Sequence, residues 1–278
     1  AEIPGEILQA GSACVNGKSL FDVVKSLDDA TVHLRVLDNH WIEITAGRSQ
    51  FKLAGMPTSD FPEIATPDDV QWLGIARGTL KDLIEKTAFS VSDDETRMNL
   101  NGVFFKVGPI EGEDGTARLT MVSTDGHRLS KVEVDVDVKG YDGGSYQAIV
   151  HKKGVSEIRR LLDDDVDTID VGFTKGRVLF RAGGTTFTVR QIEDAYPDYQ
   201  RVIPPSSSIH LQLDRQRAIQ AIRRIAILTS SKTYIIKMEL SEGKIAFASS
   251  NPDYGEGHYE IDVTYDGEGM VIGFNYVY

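Results

Sequence analysis

Residues 18–29, KSLFDVVKSLDD, and residues 153–164, KGVSEIRRLLDD, are two writings of one pattern. Lys18 and Lys25 correspond to Lys153 and Arg160, while Leu20, Val23 and Leu27 correspond to Val155, Ile158 and Leu162. The likeness runs on to 64 and 199. With one residue inserted and later returned, Ala46-Gly47 through Phe51 matches Ala182-Gly183 through Phe187, and Phe61-Pro62 matches Tyr196-Pro197. Self-similarity on this scale means one structural unit repeated within the polypeptide. A second repeat interleaves with the first, pairing Leu80–Ser92 with Ala218–Ser230. Each of these opens as a short amphipathic helix whose expected inward residues fall three and four apart, Leu80, Leu83, Ile84 and Thr87 in one and Ala218, Ile222 and Ile225 in the other. The order along the chain is therefore half-unit B, A, B, A. Such a chain starts and stops in mid-unit and lacks an initiator methionine, as expected of a piece of a longer gene product.

A length of 278 residues suggests two domains, and a repeat spacing of about 135 residues agrees with ordinary domain size. Hydrophobic residues make up 41% of the chain, enough for packed cores. The lone cysteine, Cys14, has no internal partner and fits a reducing compartment. Neither a membrane-length apolar run nor a secretion signal is legible, so a soluble, cytoplasmic protein is expected.

The formal net charge of −12 argues against a polyanionic partner, but its distribution points the other way. Residues seven apart on a helix lie within about 20° of each other, so Lys18/Lys25, Lys152/Arg159, Lys153/Arg160 and Arg217/Arg224 each form a basic stripe away from the apolar face. The acidic surplus sits in the turn of Glu111, Glu113 and Asp114, and on the alternating strand Val132–Val138, where Glu133, Asp135 and Asp137 share one face. One such stripe on one helix is ordinarily just a solvated face. Repetition on several helices gives the functional reading its weight.

Between the helices the pattern changes to period two. Thr31–Val36 and Trp41–Ile44 flank a turn at Asp38-Asn39; Thr168–Phe173 and Arg177–Phe180 flank Thr174-Lys175-Gly176; Ile235–Leu240 and Lys244–Ala248 flank Glu242-Gly243. Helices alternating with antiparallel meanders give an α+β fold with helices on one sheet face. Joined edge to edge, such units would form a curved array with its basic stripes on one surface.

That expectation, together with Ser123-Thr124-Asp125-Gly126-His127-Arg128-Leu129 and Tyr196-Pro197-Asp198-Tyr199-Gln200-Arg201-Val202-Ile203-Pro204, resembles the bacterial DNA polymerase III beta subunits, the beta sliding clamps. Leu100-Asn101-Gly102, Ser249-Ser250-Asn251-Pro252 and Ile272-Gly273-Phe274-Asn275 follow in the family's order, apart from a short insertion near Gly108–Thr116. The resemblance covers essentially the whole chain. It implies repeated DNA-clamp domains, sheets outside and helices lining the inner face of a head-to-tail two-subunit ring around duplex DNA. The implied division is the second half of domain I over 1–70, domain II over 71–208 and the first half of domain III over 209–278, without the N-terminal half of domain I and the C-terminal part of domain III.

The resemblance also implies sites. A pocket for the short peptides of clamp partners would comprise Leu100, Thr124, Gly126, His127, Arg128, Leu129, Pro197, Arg201, Val202, Asn275 and Tyr278. A leucine and an aromatic side chain of the peptide would bury against Leu100, Leu129, Pro197 and Val202, while His127, Arg128 and Asn275 would set its direction. The family's C-terminal tail supplies the last wall, and Thr233 replaces a bulky aromatic of some members; both imply weak peptide binding. Ring closure would set Phe51 of one subunit against Ile227 and Leu228 of the other; the competing reading makes these three ordinary core residues. Lys18, Lys25, Lys152, Lys153, Arg215, Arg217, Arg223 and Arg224 would face DNA, touching phosphate largely through water, since a sliding protein must not read bases. The loop Asp93-Asp94-Glu95, with Met98 and Asn99, departs from members that use polar and aromatic residues against DNA, and no contact is carried onto it. The implied partners are double-stranded DNA, a second clamp subunit, the replicative polymerase, the clamp loader and repair proteins.

Catalysis finds little support. Asp125, His127 and Ser130 have the types of a hydrolase triad but no nucleophile elbow. Asp163, Asp165 and Asp167 begin like a calcium loop, yet Thr168 and Thr174 replace its glycine and its bidentate glutamate. His33, His40, His151, His210 and His258 lack metal-ligand spacing. A non-enzymatic processivity factor without cofactor or metal is the leading expectation. Its rival is a repeat-built protein scaffold that does not encircle DNA.

Overall fold

The computed structural model describes residues 5–28, 31–61, 70–163, 166–207, 209–229 and 234–278, the side chain of Asp114 excepted. Asp29, Pro62, Asp164, Asp165, Ser230 and Thr233, all singled out above, lie outside the described residues. The first repeat runs β1 (Cys14–Val15), α1 (Gly17–Lys25), β2 (His33–Val36), β3 (Ile42–Ala46), β4 (Ser49–Leu53) and β5 (Gly55–Met56). Asn16 starts α1 by accepting the Ser19 N–H at 2.9 Å, which satisfies a donor that has no partner within the helix. Strands β2, β3 and β4 form an antiparallel sheet in that order, and β1 pairs with β5.

The middle of the chain contains both half-units. They run β6 (Gln71–Ala76), α2 (Arg77–Glu85), β7 (Gly102–Ile110), β8 (Glu113–Thr124), β9 (Leu129–Asp137), β10 (Tyr146–His151), α3 (Lys152–Leu161), β11 (Thr168–Thr174), β12 (Arg177–Ala182) and β13 (Thr185–Arg190). Their two sheets have the orders β10-β7-β8-β9 and β13-β12-β11-β6. The halves are thus interlocked. Strand β6 opens one half but pairs with β11 of the other, Leu73 opposite Val171. The last stretch, α4 (Arg215–Ala226), β14 (Ile235–Ser241), β15 (Lys244–Asn251), β16 (Gly255–Asp262) and β17 (Met270–Asn275), has the sheet order β16-β15-β14-β17, which reproduces β9-β8-β7-β10.

Turn chemistry explains how closely each hairpin follows the sequence pattern. At Lys175-Gly176 a two-residue turn joins paired Thr174 and Arg177, with Gly176 at φ 79°, a conformation open to glycine without steric cost. The first hairpin has no glycine there. Its turn is longer than the expected Asp38-Asn39: the Leu37 N–H donates to Trp41 O, and His40 takes the left-handed conformation, φ 64°. Thr31, Val32 and Trp41 consequently fall outside the strands. Residues 108–116 form the tip of the β7–β8 hairpin, with a register shift between Pro109 and Ile110. Along β9, Glu133, Asp135 and Asp137 are exposed while Val132, Val134 and Val136 pack on the core, as period-two alternation requires.

The main core joins α2 and α3 to both middle sheets. Leu80, Leu83 and Ile84 from α2 and Val155, Ile158 and Leu161 from α3 are buried among Leu73, Phe105, Leu119 and Phe180. Burying each such side chain stabilises the fold by about 1.5–3 kcal/mol. A second core packs α4 on its own sheet through Ala221, Ile225, Ile236 and Phe247. Of the expected inward residues on α4, Ile225 is buried and Ile222 packs half-buried against this core, while Ala221 rather than the half-buried Ala218 is the buried alanine.

Candidate functional site

The segment Thr124–Leu129 connects β8 to β9, and its shape is written in its side chains. The Asp125 carboxylate accepts the backbone N–H groups of His127 at 2.9 Å and Arg128 at 3.0 Å, and Arg128 Nε donates to its other oxygen at 3.1 Å. Burial works to raise the Asp125 pKa, but these bonds and the guanidinium charge outweigh it and hold the carboxyl below its ordinary range. Thr124 Oγ1 donates to Arg128 O at 2.7 Å and accepts from the Gly126 N–H at 3.1 Å. Gly126 itself sits at φ 89°, and a Cβ there would come within 2.7 Å of Arg97 Nη1. The backbone conformation favours glycine, and any side chain there would also have to displace the Arg97 guanidinium.

This rigid loop meets residues far away in sequence. The His127 ring stacks on Tyr278, centroids 5.5 Å apart and 11° from parallel, and the Arg128 guanidinium lies 5.1 Å from the Tyr278 ring centroid. Arg128 Nη2 also donates to Phe89 O at 2.7 Å. Asn275 caps the last turn, accepting the Val277 N–H on its side chain and the Tyr278 N–H on its carbonyl. Leu100 is buried in the turn before β7; its neighbour Asn99 donates through Nδ2 to Ala195 O at 3.2 Å, which ties that turn to the segment holding Pro197. Tyr196 stacks on Phe104 at 5.0 Å, and burial pushes its phenol pKa well up. Leu129 is half-buried, Pro197 and Arg201 are exposed with Arg201 paired to Asp198 at 2.8 Å, and Val202 is 68% exposed. Hydrogen bonds and ring contacts thus unite Thr124, Gly126, His127, Arg128 and Tyr278, with Asn275 bracing Tyr278; none of them, among the described residues, brings Val202 to this group. Phe89 and Asp125 are supports that residue-by-residue reasoning missed as such, although the Asp125-x-x-Arg128 spacing signals a local pair. A cleft of about 630 Å³ lined by residues 191–200 shares only Pro197 with the expected set.

The same geometry disposes of a triad. The Ser130 hydroxyl pairs with that of Ser90 at 2.7 Å, while Asp125 serves the loop backbone rather than the His127 ring. Among the described residues no group of three His, Cys, Asp or Glu side chains gathers for a metal. No helix among them is long and apolar enough to cross a membrane.

The cationic residues divide by helix. On α1, Lys18 and Lys25 are exposed, Lys25 over the Phe21 ring at 5.7 Å. On α3, Lys153 is exposed, Lys152 pairs with Asp93 at 2.7 Å and Arg160 with Glu157 at 2.8 Å. The α4 arginines Arg215, Arg217, Arg223 and Arg224 are all exposed, with Arg224 over Tyr259 at 4.7 Å. His151, which precedes α3, has its pKa lowered by burial first and then by the charges of Lys152 and Lys153. Phe51 on β4 is 36% exposed, Ile227 just past α4 is 78% exposed and Leu228 is half-buried, so none of the three is a core residue.

Comparison with known proteins gives a uniform result. Family models of the DNA polymerase III beta subunit match throughout: the N-terminal domain over residues 1–65, the central domain over 74–198 and the C-terminal domain over 200–278. A beta sliding clamp of Vibrio cholerae is 33% identical over 270 residues, 97% of this chain and 71% of the relative. Among solved structures, the sliding clamp of Pseudomonas aeruginosa bound to griselimycin is 32% identical with a TM-score of 0.84, covering 95% of this chain and 69% of that one. The Bartonella birtlesii clamp bound to griselimycin is 30% identical with a TM-score of 0.84, over 95% and 70%.

Proposed function

This chain belongs to the DNA polymerase III beta subunit family and is a DNA sliding clamp, a non-catalytic processivity factor; from that premise we propose how its own residues divide the work. The scaffold reading falls away with that membership. In our reading the clamp modules are residues 1–70, 71–208 and 209–278, and the protein works in the cytoplasm on double-stranded DNA of any sequence. Lys18, Lys25, Lys152, Lys153, Arg215, Arg217, Arg223 and Arg224 face the duplex, where exposed cations exchange phosphates without reading bases. A second subunit is engaged through Phe51, Ile227 and Leu228, which are apolar and not buried in the monomer.

Polymerase, loader and repair proteins dock by short peptides on Leu100, Thr124, Gly126, His127, Arg128, Leu129, Pro197, Arg201, Val202, Asn275 and Tyr278. The observation that carries this reading is the stack of His127 on Tyr278 beside Arg128, which supports one platform built from two distant parts of the chain. A ring need hold each partner only weakly, because a topological tether keeps the local concentration high. The test is anisotropy of a labelled peptide carrying a leucine and a phenylalanine. Leu129→Ala and Arg128→Ala should each weaken it about tenfold or more, on the scale of interface hot spots. Unchanged affinity in both would refute the pocket.

A further inference from the structure

Lys152 opens α3 within the proposed DNA-facing set, yet its ammonium is already engaged. Nζ lies 2.7 Å from Asp93 Oδ1, on a loop 59 residues earlier in the chain. That loop is tied in place. The Asp94 N–H donates to Ser92 Oγ at 3.1 Å, the Asp94 carboxylate accepts from Thr96 Oγ1 at 2.6 Å and Arg97 Nε at 3.0 Å, and the Ser92 N–H donates to Leu100 O at 3.0 Å. Asp93 is therefore held at the start of α3, its side chain 95% exposed against 32% for Lys152. A phosphate binding this lysine has to share or replace a carboxylate partner. On α4 the situation differs: no ion pair engages Arg215, Arg217 or Arg223 among the described residues.

We infer that Asp93 competes with DNA phosphate for Lys152, so that the 93–95 loop lowers the clamp's hold on the duplex while leaving Lys152 in place on its path. A carboxylate oxygen and a phosphate oxygen offer an ammonium the same charge and acceptor chemistry, so exchanging one for the other changes its energy little. Near-equal exchange limits how long any one phosphate is held, as a sliding protein needs. The inference rests on the DNA-facing assignment above and gives the loop a role opposite to contact.

The experiment is anisotropy of a labelled duplex of about 30 base pairs with the 278-residue chain, from about 50 to 200 mM salt. Asp93→Asn should bind about threefold tighter at low salt, with a plot of log affinity against log salt steeper by about 0.9, the increment for neutralising one more phosphate. Adding Lys152→Gln to Asp93→Asn should abolish that tightening. Tighter binding that survives without Lys152 overturns the inference, because Asp93 would then act by general repulsion. So does an unchanged Asp93→Asn if Lys153→Glu/Arg217→Glu/Arg224→Glu weakens binding. If that triple reversal changes nothing, the DNA-facing assignment itself fails and the competition falls with it.

Discussion

Two copies of one sequence pattern meet different fates in this molecule. Val155, Ile158 and Leu162 of the second copy are buried, while their counterparts Leu20, Val23 and Leu27 are only half-buried and Phe21 and Val24 are exposed. The strands tell a different story. Ile42, Ile44 and Ala46 on β3 are as buried as Val178, Phe180 and Ala182 on β12. The contrast lies in the neighbours: α3 packs beside α2 over two interlocked sheets, and β11 is covered by β6, whereas all four residues of β2 are exposed. An amphipathic pattern says which face can be buried. How completely it is buried depends on what stands opposite.

Truncation at matched positions should separate the two copies most widely. Ile158→Ala should cost about 2–5 kcal/mol in urea unfolding and its counterpart Val23→Ala about 1 kcal/mol, since Val23 is only half-buried and leaves a smaller cavity. Equal losses would mean that the two helices are equally packed. Next comes close approach. A Cβ on Gly154 would lie 2.6 Å from Val189 Cγ1, so Gly154→Ala should destabilise by about 1–3 kcal/mol, while Ser19→Ala at the matching exposed position should stay within about 0.5 kcal/mol in the same assay. A smaller difference is expected on DNA. Lys25→Glu should weaken duplex binding about threefold and Arg160→Glu less, because Glu157 already neutralises part of the Arg160 charge; anisotropy at low salt reads both.

The smallest effect lies outside both copies. With its folded pKa depressed, Asp125 adds stability that is complete above the ordinary carboxylate pKa of about 3.9 and is lost as pH falls through the lower folded value. Amide NMR signals of His127 and Arg128, the two N–H groups that donate to this carboxylate, should therefore shift below about pH 4, while those of α3 hold.

Much of this was legible in advance because it is periodic. The repeat, the hairpins turning at Lys175-Gly176 and Glu242-Gly243 and the alternation along β9 follow from spacing alone, and the Thr124–Arg128 loop is fixed by local bonds between residues at most four apart. That Ala221 rather than Ala218 is the buried alanine of α4 was not legible, since the fine rotation of a helix is decided by the sheet beneath it. Nor was the Arg128 bond to Phe89 O, which spans 39 residues.

By itself the sequence determined the unit, its repetition and the placing of cations opposite the apolar face of each helix, all set by interactions within a few residues. Only the tertiary structure decided which copy of the unit is deeply buried, that Tyr278 lies against His127, and that Asp93 holds Lys152, because each depends on residues brought together from distant parts of the chain.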